Sequence, residues 1–200
     1  MILVIGGSGA LGSSVVQRLL QQGRAVRVMT RTSEKVQALQ QAGVDVVRGD
    51  LTDKASLQRA CAGVEKVVAS AHSVFGRGQE ASKFVDLQGH KDLIDVARAA
   101  GVQRFVYISA VGAEPNSSVP FSRIKYQIEQ YLRGSSLEFV ILRATAFMES
   151  HAHMLIGQPI IEKGKVSLFG KGNNPRNFVA AVDRNRWSRK LDEYAGGASL

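Results

Sequence analysis

Short apolar runs alternate with longer stretches of mixed polarity along most of this chain. Ile2-Leu3-Val4-Ile5, Ala25–Met29, Val44–Val47, Glu65–Ser70, Gln103–Ser109 and Glu138–Arg143 have the length and composition of strands. The segments between them carry apolar residues at helical spacing. Ser13–Gln22 is amphipathic, Ser33 caps a helix to Gln41 with a thin Val36/Leu39 face, and Lys54–Ala62 forms a third. Lys83–Ala100 is the longest, with Leu87, Leu93, Ile94, Val96 and Ala97 in its buried stripe and Gly89 allowing close approach to the sheet. Phe121–Arg133 turns Ile124, Ile128, Tyr131 and Leu132 inward, with Lys125 and Glu129 on an adjacent face at i,i+4. Gly23, Gly43, Gly63 and Gly101 punctuate the pattern. Strand–helix alternation of this kind predicts an α/β fold. Past the sixth strand, residues 166–169 and 177–180 read as a hairpin pair, and Arg184–Tyr194 as a short amphipathic helix on Trp187, Leu191 and Tyr194.

The first strand runs straight into Gly6-Gly7-Ser8-Gly9-Ala10-Leu11-Gly12. Strand, glycine turn and helix in that order predict a dinucleotide-binding corner. The glycines allow a tight turn, close approach of the backbone to a pyrophosphate and close helix–strand packing, and the helix N-terminus turns free N–H groups and a positive dipole toward the phosphates. The spacing reads either as Gly7-x-Gly9-x-x-Gly12 or as Gly6-x-x-Gly9-x-x-Gly12. Arg31, just past the second strand, stands where an Asp or Glu would bond a ribose 2′-hydroxyl and an Arg a 2′-phosphate, which favours NADP(H) over NAD(H). Asp50, at the end of the third strand, is placed to accept from an adenine amino group, while Thr52 or Asp53 is the better cap for the next helix. His72, in the loop after the fourth strand, is either a substrate contact or a solvent-facing loop histidine.

Composition narrows the function classes. The 200 residues suit one domain, and 44% hydrophobic with 22% charged residues is ordinary for a soluble protein. No apolar run reaches the ~18 residues of a membrane span, and a strand starting at Ile2 leaves no room for a leader, so a cytoplasmic location is expected. The lone Cys61 precludes an internal disulfide and reads as a small core residue. The net charge of +9 is spread rather than clustered with aromatics, so neither nucleic acid nor membrane is an expected partner. Glu149, His151 and His153 alternate at period two without a second ligand cluster, so no metal site is predicted.

Gly6 to Gly12, Gly49-Asp50-Leu51, Ala99-Ala100-Gly101-Val102, Tyr107-Ile108-Ser109 and Lys125…Glu129 together resemble the atypical short-chain dehydrogenase/reductases, most closely their NmrA-like branch. The resemblance covers about residues 1–182. It implies a Rossmann-type doubly wound parallel sheet of order 3-2-1-4-5-6, NADP(H) across the strand ends, and a role as a reductase or as a cofactor-sensing regulator acting through a protein partner. Carried over by position, Gly6, Gly9 and Gly12, with Ala10 and Leu11, hold the pyrophosphate, Arg31 the 2′-phosphate, and Asp50 with Leu51 the adenine. Ala69 and Ser70 also line the cofactor, and Lys125 contacts the nicotinamide ribose. Ser109 and Lys125 are the catalytic candidates. The family's proton-donating Tyr would stand four residues before the Lys, where this chain has Phe121. Tyr126 points about 100° away from Lys125 on the helix and is a poor substitute. Ser109 without its Tyr is half of a dyad, and a strand-end Ser can equally bond backbone. The expected domains are a cofactor-binding unit over 1–183, with a short or truncated substrate lobe in 144–183, and a tail over 184–200.

Overall fold

The computed structural model describes residues 1–31, 36–73, 83–148, 151–166 and 177–180, and in it the six apolar runs form one sheet. β1 (Ile2–Ile5), β2 (Val26–Thr30), β3 (Asp45–Arg48), β4 (Lys66–Ala69), β5 (Arg104–Ala110) and β6 (Glu138–Ala144) lie in the order β3-β2-β1-β4-β5-β6. Every pairing is parallel. Parallel neighbours need crossovers, which are supplied by α1 (Ala10–Gln21), α2 (Val36–Gln41), α3 (Lys54–Cys61), α4 (Gly89–Ala99) and α5 (Pro120–Arg133). This is the doubly wound Rossmann-type sheet expected from the sequence. Its winding reverses between β1 and β4, and a doubly wound sheet opens its ligand crevice at such a point.

Successive strand residues point to opposite faces and divide the core in two. Leu3, Ile5, Val67, Phe105 and Tyr107 pack with Leu57, Leu93, Ile94, Ile128 and Leu132 under α3, α4 and α5. Val4, Val28, Val68 and Val106 pack with Val15, Val16 and Leu19 under α1. Each such aliphatic side chain removed from water contributes about 1.5–3 kcal/mol. Cys61 is a core residue as expected, and burial pushes its thiol pKa up to about 11. Arg27 of β2 ties the layers together: its Nε donates to Asp45 at 2.7 Å and its Nη1 to the carbonyls of Ala60 and Ala62 at the end of α3.

Several expectations need correction. α1 starts at Ala10, three residues before Ser13, because extended Gly9 serves as its N-cap and accepts from Ser13 N at 2.8 Å. The helical stretch from Lys83 opens as a π-helical turn (Lys83–Gln88) before α4. Gly89 faces Leu51, three residues past the end of β3, rather than the sheet: a Cβ there would stand 2.9 Å from the Leu51 Cβ. Lys125 and Glu129 are buried with Ile128, not on an adjacent face. Phe178–Val179 (β8) pairs in parallel with Ala146–Phe147 (β7), while most of its expected hairpin partner, residues 167–169, lies outside the described residues. So do Glu149 and the tail from residue 181. A second π-helical turn (His151–Gly157) and α6 (Gln158–Lys163) follow β7. Among the described residues no helix is long and apolar enough to cross a membrane.

Candidate functional site

At the switch point the strand ends open into a cleft of about 320 Å³, lined along its length by Gly6, Ser8, Gly9, Arg31, Asp50 and His72 among others. Its centre is the glycine turn. Gly6 has φ +84°, a left-handed conformation that only glycine adopts without strain, and a Cβ there would stand 2.7 Å from Ala71 N. A Cβ on Gly12 would overlap the Gly6 carbonyl oxygen and stand 2.7 Å from its carbon. The turn closes through Gly9 N to Gly6 O at 2.9 Å. Of the two glycines that can open the motif, Gly6 lines the cleft, whereas Gly7 packs on Val28. No side-chain hydrogen bond caps the N-terminus of α1, which starts directly after the glycine turn. Gly6 and Gly9 line the cleft; Gly12 sits behind them, and Ala10 and Leu11 belong to the helix start.

Arg31 and Asp50 face each other at one end. The Arg31 Nη1 lies 3.6 Å from Asp50 Oδ2, and both side chains are accessible from the cleft. The other Asp50 oxygen accepts from the backbone N and hydroxyl of Thr52, both at 2.8 Å. Asp53 caps α3 through Ala55 N, which leaves Asp50 to the cleft. Leu51 lines the cleft beside it. Ser70 also lines it, its hydroxyl donating to the Ile5 carbonyl at 2.9 Å, while Ala69 is fully buried beneath.

At the other end stands His72, with Phe121 and Lys125 behind it rather than in the lining. The His72 ring meets the Phe121 ring edge-on, with centroids 6.2 Å apart. The Lys125 Nζ lies 5.3 Å from the Phe121 centroid and 4.8 Å from that of Tyr107, and donates to the Ile108 carbonyl at 3.1 Å. Lys125 is buried, and burial lowers its pKa to about 8 against the opposing pull of Asp86 and Glu129. His72 is exposed where it lines the cleft. Partial desolvation, with the Lys125 charge, lowers its pKa below the ordinary 6.5.

Ser109 is buried, and its hydroxyl donates at 2.5 Å to Glu129, not to backbone. Arg143 closes on the same carboxylate with two bonds of 2.9 and 2.6 Å. Ser109 and Arg143 are register partners on β5 and β6, so their side chains leave the same face and converge on α5. Behind His72, fully buried Asp86 accepts from Ser73 N, and His90 bonds the Asp86 carbonyl at 2.7 Å. The His90 Nε2 and Tyr107 hydroxyl find no hydrogen-bond partner among the described residues. Burial holds His90 down at about pKa 4 and pushes the Tyr107 phenol well up. The sequence reading missed Asp86 and His90, although 86, 90, 93 and 97 fall on one helical face with Leu93 and Ala97. Among the described residues no three His, Cys, Asp or Glu side chains gather as a metal site.

The sequence is 34% identical over 170 residues to the Photosystem II assembly factor Ycf39 of Cyanophora paradoxa, covering 82% of this chain and 51% of that protein. It is 32% identical over 166 residues to the NAD(P)H azoreductase of Xenophilus azovorans, covering 82% and 54%. The chain thus spans about half the length of these relatives. Among solved structures, the NADPH-dependent quinone oxidoreductase of Escherichia coli complexed with NADPH superposes with a TM-score of 0.64 at 28% identity, over 79% of this chain and 54% of that one. The sequence model of the NmrA-like family matches residues 1–176, which include every strand of the main sheet and every cleft residue named above. This chain belongs to the NmrA-like family.

Proposed function

We propose that the chain binds NADP(H) in this cleft and reduces a small quinone or other carbonyl acceptor. The observation that carries this reading is the order of groups along one cleft: a guanidinium at one end, an uncapped helix N-terminus behind the glycine turn, and an imidazole at the other end with a buried ammonium close behind it. Gly6 and Gly12 keep the turn tight beneath a pyrophosphate, because a side chain at either would collide with neighbouring backbone. The first-turn N–H groups of α1 hold the phosphates. Arg31 exchanges its 3.6 Å contact with Asp50 for a 2′-phosphate, which it can bond bidentately. Lys125 spends one of three N–H groups on Ile108 O and offers the others to a ribose hydroxyl. The bound cofactor supplies a hydride at its nicotinamide, and the remaining work of the site is to orient the acceptor and provide a proton.

A second reading, a sensor of the NADP(H) pool that acts through a protein partner, is favoured by one feature. Phe121 has no hydroxyl and Ser109 is committed to Glu129, so the family's proton-donor pair is missing. The same NADPH-loaded protein separates the two readings. Oxidation of NADPH on addition of a quinone supports the reductase, whereas tight binding without oxidation across a quinone panel supports the sensor.

A further inference from the structure

We infer that His72 is the proton donor of this site, giving a proton to the carbonyl oxygen of a quinone-type acceptor; the inference rests on the reductase reading. Three other candidate hydroxyls are occupied or out of reach. Ser109 donates to Glu129, Ser70 donates to the Ile5 carbonyl, and the Tyr107 phenol is fully buried under Lys125. His72 alone among these lines the cleft with a titrating proton, and its ring lies against the edge of Phe121, the ring from which the family's hydroxyl would project.

Lys125 flanks that same ring, and its charge acts on His72. The Nδ1 of His72 lies 3.5 Å from the Ser70 carbonyl, so the imidazolium can donate there and keep Nε2–H as its second donor. The step balances simply. The Nε2–H bond breaks and an O–H bond forms on the acceptor. The hydride from reduced nicotinamide brings two electrons, so a quinone becomes its hydroquinone. Water in the cleft returns the proton to the imidazole.

The charged groups facing His72 among the described residues are Lys125 from α5, which disfavours the imidazolium, and Asp86 from the π-helical turn, which favours it; the Ser70 carbonyl at the end of β4 favours it too. Desolvation and Lys125 prevail, so the imidazolium is a stronger acid, and less populated near neutral pH, than that of an ordinary histidine.

The test is the pH profile of single-turnover NADPH oxidation by a naphthoquinone, with full-length wild type and His72→Gln. It is paired with imidazole nitrogen NMR of the NADPH complex and with NADPH affinity. The expected result is a wild-type rate that climbs as pH falls through the His72 pKa read by NMR. His72→Gln should lose that climb and be at least ~10-fold slower at pH 5.5, with NADPH affinity within about twofold. A His72→Gln variant that keeps both rate and pH dependence overturns the assignment and leaves the reductase reading standing. A wild type that binds NADPH but oxidises none at any pH removes the reductase reading and this inference with it.

Discussion

The carboxylate of Glu129 should be the most asymmetric buried charge in the molecule, and that asymmetry can be measured. Glu129 is fully buried, whereas the Arg143 side chain that grips it is 44% exposed. Replacing Arg143 with Met strands a carboxylate in the core with only the Ser109 hydroxyl on it. Breaking a buried pair so that a charge is left behind costs about 3–5 kcal/mol. Replacing Glu129 with Gln instead leaves a guanidinium that can turn to water. It removes two charge-assisted bonds while keeping an acceptor for Ser109, so the loss should stay near 1–2 kcal/mol. Ser109→Ala deletes one bond to a charged group, at about 1.5–3 kcal/mol. The expected order of destabilisation is therefore Arg143→Met above Glu129→Gln, by roughly 2 kcal/mol. For a chain of this size that gap is about 4–8 °C in Tm. Urea unfolding of both variants, followed by circular dichroism with equal m-values, measures it. Equal losses, or a larger loss for Glu129→Gln, would mean that the carboxylate is not desolvated as the packing implies.

Other outcomes follow from the same geometry. Lys125 has a folded pKa near 8 against 10.5 for the free side chain, so between those values the unfolded chain binds more protons and stability should rise with pH. Lys125→Met should flatten that rise and be more stable than wild type at pH 7 by about 1–3 kcal/mol, as pH-dependent denaturation would show. Gly12→Ala would force a methyl group onto the Gly6 carbonyl. It should cost upward of about 2 kcal/mol and abolish NADPH binding, read by melting and titration together. Phe121→Tyr places a hydroxyl beside the Lys125 ammonium and should raise ketone reduction near pH 8 at least ~10-fold over the wild type; no gain would indicate that the ring does not face the acceptor.

The six strands and their helices were legible because apolar periodicity is a local property, and the glycine turn because its spacing answers to local sterics. Which of Gly6 and Gly7 lines the cleft was not legible, since it depends on how the turn meets Ala71 and Val28. What periodicity concealed was polar. Lys125 and Glu129 look like an exposed i,i+4 pair until β5 and β6 bring Ser109 and Arg143 to the same carboxylate. That contact joins residues 20 and 14 positions apart through strand order, which no single segment encodes. Asp86 and His90 were passed over because polar residues in an apolar stripe read as interruptions. His72 remained ambiguous because its chemistry depends on Phe121, 49 positions on, reaching back to its ring.

Cofactor binding in the cleft is tested most directly by titrating the chain with NADPH and with NADH while following nicotinamide fluorescence, in wild type and Arg31→Ala. If Arg31 leaves Asp50 for the 2′-phosphate, NADPH should bind tighter by about 2 kcal/mol, or roughly 30-fold. Arg31→Ala should erase most of that difference and leave NADH nearly unchanged. Equal affinity for the two cofactors in the wild type would contradict the NADP(H) assignment, and binding of neither would contradict the site itself.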